Sequence, residues 1–147
     1  MENSKQAEME ERVRAFLHSI NTEAADTMCG RIQPRFVSCD SEAQTLTLSY
    51  PVQSWERNPI GRMQGGVIAT LLDFSVAVLS ACYTDMPVTV SLQVSYLRPG
   101  PLDGEMLVTV RCVHAGRTMI HAFASCASAA APEKAIATAN AVYMNGK

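Results

Sequence analysis

No stretch of this 147-residue sequence stays apolar long enough to cross a bilayer: the longest such run, Val67 to Cys82, has about 16 residues, against the roughly 20 that a membrane helix needs. An excess of either charge is also missing. Lys and Arg number 12 against 14 Asp and Glu, for a net charge of −2, and the basic residues are scattered, so nothing electrostatic favours nucleic acid as a partner. The five cysteines (Cys29, Cys39, Cys82, Cys112 and Cys126) are odd in number and include no Cys-x-x-Cys pair. That excludes a disulfide framework or a zinc ribbon and reads as reduced thiols serving as small hydrophobes. His18, His114 and His121 lack metal-ligand spacing, and neither a metal nor a cofactor is expected. There is no Gly-x-Ser-x-Gly elbow, which leaves open only a pairing of a Cys through space with His114 or His121. Met1 to Arg14 is rich in Glu and carries Lys5, Arg12 and Arg14, with no apolar signal core. A cytoplasmic protein without membrane attachment is the expectation.

What is present suits one domain over residues 1–147. Hydrophobic residues make up 48% of the chain and the mean hydropathy is +0.04, enough for a single core. The chain is organised around Asn58-Pro59-Ile60-Gly61-Arg62-Met63-Gln64-Gly65-Gly66 and the apolar run that follows. A helix apolar on all sides is a buried helix. Gly65-Gly66 at its start leaves the first turn's N–H groups bare, so that a ligand oxygen can approach the positive end of the helix dipole. Asp73 is the one ionisable side chain in the run; burying it costs several kcal/mol unless it is paired or functional, and no Lys or Arg lies within a helical turn. Each feature also has a plain structural reading, the glycines as a turn and Asp73 as a cap or the partner of a distant Arg.

Around this run, Lys5 to Asn21 places Met9, Val13, Phe16, Leu17 and Ile20 near helical spacing, predicting an amphipathic packing helix. Ile32 to Cys39 and Gln44 to Val52 read as a hairpin turning at Asp40-Ser41-Glu42. Val88, Val90, Leu92, Val94 and Tyr96 alternate with Thr89, Ser91, Gln93 and Ser95, predicting a strand whose aliphatic face is buried. Glu105 to His114 and Thr118 to Cys126, joined by Ala115-Gly116-Arg117, read as a second hairpin, and Ala135 to Met144 as a last strand. The expectation is an α+β domain: an antiparallel sheet of about six strands wrapped over one long central helix, with an N-terminal helix at about 5–21 and the core at about 31–144. A curled sheet has an edge to manage, and a second copy would cover it.

The pattern Asn58-x5-Gln64-Gly65-Gly66-x6-Asp73 resembles the signature of hotdog-fold acyl-CoA thioesterases of the phenylacetate-pathway (PaaI-like) type. Thr89 on a strand ending Tyr96-Leu97-Arg98-Pro99 and the Gly116-Arg117-Thr118 hairpin also match, and the resemblance runs from about Arg31 to Met144. It implies a hotdog homodimer, often paired into a homotetramer, that hydrolyses an acyl-CoA thioester without metal; coenzyme A is then part of the substrate. It further implies that Gly65 N–H polarises the thioester carbonyl, that Asp73 serves as nucleophile or as base for water, that Asn58 orients the water or acyl group, and that Thr89 stands near the carboxylate. Gly66, Arg98, Arg117 and Thr118 are the implied substrate-binding positions, with Arg117 either at a coenzyme A phosphate or simply solvated. The family commonly has His where this chain has Gln64. If that position supports the helix start, Gln can substitute; if it polarises the carbonyl, activity is weak or redirected. A non-catalytic acyl-CoA sensor is therefore the alternative. The hydratase branch of the fold needs an Asp–His pair, and no His occurs between His18 and His114.

The chemistry agrees. Thioester hydrolysis develops negative charge on the carbonyl oxygen, and a preorganised backbone donor at a helix start is worth about 3 kcal/mol there.

Overall fold

The computed structural model describes all 147 residues. Helix α1 (Glu2–Thr22) leads through a short α2 (Met28–Arg31) to strands β1 (Arg35–Asp40) and β2 (Thr45–Pro51). A 3-10 turn (Ser54–Glu56) and an irregular loop then enter helix α3 (Gly65–Ser80), which is followed by β3 (Pro87–Tyr96), β4 (Glu105–Ala115), β5 (Met119–Ser128) and β6 (Ala135–Asn145). All six strands form one antiparallel sheet in the order β1-β2-β4-β5-β6-β3. The sheet curls over α3, whose Leu71, Leu72, Val76, Val78 and Leu79 are essentially inaccessible. This is the α+β hotdog architecture that the sequence predicts.

Helix α1 buries Met9, Val13 and Leu17, the heart of the predicted stripe, and docks on α3 through Phe16 and Phe74, ring centroids 6.2 Å apart. On its outer side the Arg14 guanidinium lies 4.2 Å over the Phe36 ring of β1, a cation–π contact worth about 0.5–1 kcal/mol at an exposed site. The first hairpin turns where expected: Asp40 Oδ1 accepts from the backbone N–H of Glu42 and of Ala43, each at 2.9 Å, as short acidic side chains do in turns.

The structure corrects two of the predicted elements. The first strand does not begin at Ile32. Thr27 caps α2 by accepting from Gly30 N–H, and Ile32 ends that helix, 1% exposed; Gln33 turns the chain at φ 53° before the strand starts at Arg35. Gly30 is required there, because a Cβ would lie 2.3 Å from the Ala24 carbonyl oxygen.

The second correction concerns the face of β3. Strict alternation places Val88 and Val90 inside and Thr89 outside, but the register slips between Thr89 and Ser91. This β-bulge reverses the facing of the residues before it. Thr89 pairs with the inward Tyr143 and turns toward α3, while Val88 and Val90 are 43% and 48% exposed. Leu92 and Val94, beyond the bulge, pack on the core as predicted. Strand β3 is a sheet edge: one side pairs with β6 and the other is free.

Candidate active site

Helix α3 begins with its donors unspent. Gln64 is the N-cap residue but its side chain makes no capping bond. Gln64 O accepts from Val67 N–H (3.0 Å) and Ile68 N–H (3.3 Å), which leaves the N–H groups of Gly65 and Gly66 without an acceptor on the chain. Added Cβ atoms confirm how open this end is: at Gly66 the nearest contact is Gln64 Cγ at 4.0 Å, and at Gly65 it is the Tyr96 ring at 3.4 Å. Tyr96, the last residue of β3, donates its hydroxyl to Gly65 O at 2.7 Å and so ties the helix start to the edge strand.

The loop before α3 is shaped by Asn58. Its Oδ1 accepts from Ile60 N–H (3.1 Å) and Arg62 N–H (3.0 Å), and its backbone N–H donates to Arg62 O at 2.6 Å. The side-chain carbonyl is therefore committed to the turn, and only the amide NH2 is left to face a ligand. Gln64 N–H donates to Glu56 O at 2.8 Å, fixing the angle at which the loop feeds the helix. The Gln64 side chain adds no hydrogen bond to the helix start, and its exposed amide is unspent.

Two turns further along, Asp73 pairs with no cation; the ion pairs of the molecule are Arg14–Glu10, Arg35–Glu105 and Lys147–Asp85. Its charge is met by hydroxyls instead. Thr89 donates to Oδ1 at 2.9 Å, and Tyr143 of β6 donates to the same oxygen and to Asp73 O, the latter at 2.6 Å. Burial first, and then the hydrogen bond to Asp73, push the Tyr143 hydroxyl's pKa far up, so this phenol keeps its proton and is the donor. Sequence reasoning missed Tyr143, although alternation along Ala137, Ala139, Ala141 and Tyr143 on β6 puts one large aromatic on the inner face of an otherwise small-residue row.

Strand β3 runs antiparallel to α3, Thr89 meeting Asp73 and Tyr96 meeting Gly65. Both candidate half-sites therefore lie along the free edge. Arg98, beyond β3, donates to Ala135 O at 2.5 Å, so part of its guanidinium braces the entry to β6. Arg117 and Thr118 lie at the β4–β5 turn and line a shallow polar depression with Arg12, Tyr83, Thr84 and Asn145, at the opposite end of α3 from Gly65.

The cysteines do not offer a competing nucleophile. Burial raises the pKa of all five thiols, to about 11 for Cys82 and Cys126, and all five are unbridged. Cys29 lies close enough to Asp73 for the carboxylate to add to that rise. His114 and His121 face each other across β4 and β5, ring centroids 6.2 Å apart. No three His, Cys, Asp or Glu side chains gather as a metal-binding group.

Comparison with known proteins narrows what this arrangement is. The sequence profile of the Thioesterase superfamily matches residues 60–138, over half the chain and including α3 and most of the sheet. The E. coli PaaI protein of the phenylacetic acid degradation operon superposes with a TM-score of 0.81 over 97% of this chain and 96% of that one, at 15% identity. A phenylacetic acid degradation-related thioesterase from Ralstonia eutropha JMP134 is 25% identical, with a TM-score of 0.76 over 90% of this chain and 98% of that one. Mouse acyl-coenzyme A thioesterase 13 is 26% identical over 98 residues, 65% of this chain and 68% of that one. The class is thus a hotdog-fold hydrolase acting on thioester bonds. Within it, the chain belongs to the thioesterase superfamily and is of the PaaI-like type.

Proposed function

We propose that this single-domain protein is an acyl-CoA thioesterase that hydrolyses an aryl- or short- to medium-chain acyl-CoA to the free acid and coenzyme A. The observation that carries the reading is that one helix holds both a bare N-terminus at Gly65 and a carboxylate, Asp73, met by hydroxyls rather than by a cation. Gly65 N–H, with Gly66 beside it, donates to the thioester oxygen as negative charge develops. Asp73 either attacks the carbonyl carbon, giving an anhydride that water then cleaves, or removes a proton from the attacking water. In both routes the C–S bond breaks and the departing thiolate of coenzyme A takes up a proton. The Asn58 amide and Gln64 border the carbonyl, and Thr89 holds the carboxylate. Arg98, Arg117 and Thr118 supply donors for the phosphates of coenzyme A. No resident metal or cofactor takes part.

The site is shared between two chains. Asp73 lies eight residues beyond Gly65, about 12 Å along the axis at 1.5 Å per residue, too far for both to serve one carbonyl carbon. A second copy added antiparallel to the free edge of β3, about a two-fold near Leu92 and Gln93, sets Thr89 of each copy opposite Tyr96 of the other. The helix start tied to Tyr96 then meets the carboxylate held by Thr89. The working unit is a cytoplasmic homodimer, paired into a dimer of dimers.

The experiment is thiol release from a panel of aryl- and acyl-CoA esters, with Asp73→Asn as control. The substitution is nearly isosteric and its Oδ1 still accepts from Thr89 and Tyr143, so the fold is kept while kcat falls by about 10²–10⁴. Inertness across the whole panel refutes the thioesterase; near-native kcat in Asp73→Asn refutes the role of Asp73. The unspent Gln64 side chain favours one second reading, an acyl-CoA sensor, which shows as ligand-induced thermal stabilisation without hydrolysis.

A further inference from the structure

We infer that Tyr143 is a positioning residue for Asp73: its hydroxyl, together with that of Thr89, occupies Oδ1 and leaves Oδ2 as the carboxylate oxygen presented to the substrate. The inference rests on the reading of Asp73 as the reactive carboxylate.

Three hydrogen bonds reach Asp73 from other side chains, and none goes to Oδ2: Thr89 Oγ1 to Oδ1, Tyr143 Oη to Oδ1, and Tyr143 Oη to the backbone oxygen of Asp73. A phenol has one proton to give, so Tyr143 shares it between two acceptors of one residue. That sharing ties the orientation of the carboxylate to the helix backbone itself. A free aspartate turns about two torsions, and rotation about the second exchanges its oxygens. Two donors converging on Oδ1 stop the exchange.

The clamp is itself rigid. Tyr143 is 1% exposed and sits between Thr89 of β3 and Ile120 of β5 in the sheet register. Its proton is retained for the reason already given, so the donor does not switch off over the working range of pH. Holding a reacting atom in place matters steeply: a misplacement of about 1 Å costs on the order of 10²-fold in rate.

Tyr143→Phe removes the hydroxyl and keeps the ring. Expected on a competent acyl-CoA substrate is a 10- to 100-fold fall in kcat with KM changed less than about twofold, since the ring still fills its place and the oxyanion donors are untouched. The cycle with Asp73→Asn separates positioning from general weakening. Because Tyr143 acts through Asp73, adding Tyr143→Phe to Asp73→Asn costs less than twofold more, whereas an independent or merely structural role repeats the full loss. Circular dichroism at the assay temperature establishes that each variant is folded. Should Tyr143→Phe not fold, Thr89→Val, which removes the other donor to Oδ1, runs through the same cycle. Wild-type kcat in Tyr143→Phe beside an inactive Asp73→Asn overturns this inference alone; an active Asp73→Asn overturns the reading beneath it. A loss that multiplies through the cycle overturns the positioning role and leaves Asp73 in place.

Discussion

Mixing two defective proteins tests the shared site, because the two arrangements give different numbers. Asp73→Asn removes the carboxylate's charge. Asn58→Ala strips the two acceptor bonds that hold Ile60 and Arg62, loosening the loop that leads to the bare helix start; at about 1 kcal/mol for each bond this damages the loop without unfolding a core of 28 buried residues. Unfolded together in equal amounts and reassembled, the chains pair at random into one quarter of each parental dimer and one half mixed dimers. If Asn58 and Gly65 come from one chain and Asp73 and Thr89 from its mate, every mixed dimer has one site with both defects and one with none. Half the dimers working at half strength gives about a quarter of wild-type activity from two nearly inactive parents. If each chain builds its site alone, every site carries a defect and the mixture stays as inactive as the parents. The assay is thiol release, with mixed dimers verified by differential tagging and native mass spectrometry. Verified mixed dimers that stay at the parental rate refute the shared site.

Two further outcomes follow from the same geometry. Gly66→Ala meets nothing closer than 4.0 Å and replaces the poorest helix former after proline, so the midpoint of thermal unfolding should rise, by up to about 1 kcal/mol of stability; the methyl group stands where the thioester oxygen approaches, so kcat/KM should fall about tenfold or more. A variant both more stable and fully active would remove the helix start from the site. Glu56 is 2% exposed, and burial raises its pKa above the ordinary 4.5. The folded state therefore binds this proton more tightly than the unfolded chain: the contribution to stability is complete below the ordinary value and is lost as pH rises through the raised one. Glu56→Gln, which keeps an acceptor for Gln53 N–H, should stabilise the protein in chemical denaturation at pH 7 and lose that advantage near pH 4.

Much of this was legible in the sequence because it is local. The apolar run and its double glycine specify α3 and its bare start, and Asp73 stands out as the one charge within it. Strand limits fall within a few residues of the observed ones wherever alternation carries the strand, as it does from Met106 to Cys112 of β4. The rest depends on groups brought together from afar. Tyr143 is 70 residues from the carboxylate it holds, and its significance appears only once β6 is placed between β5 and β3. The inward turn of Thr89 was hidden for a different reason: a bulge breaks the period on which strand reading relies, and no glycine or proline marks it. Ile32 was read as strand because it is apolar and β-branched, whereas its burial comes from the capped turn at Thr27.

The single extra residue in β3 also sets a matter of parity. Thr89 has to face the same way as Leu92, Val94 and Tyr96, yet its number is odd and theirs are even, and an uninterrupted strand cannot satisfy both. Loss of one residue between Thr89 and Leu92 would set them two apart, so a regular strand would keep the hydroxyl at Asp73, the even-numbered wall and the tether at Gly65 on one face without any bulge. Straightening the strand at unchanged length is what would turn the hydroxyl outward, so a lineage could lose three nucleotides here and keep the carboxylate's partner, whereas any change that irons out the bulge would strip it away with no change to the core.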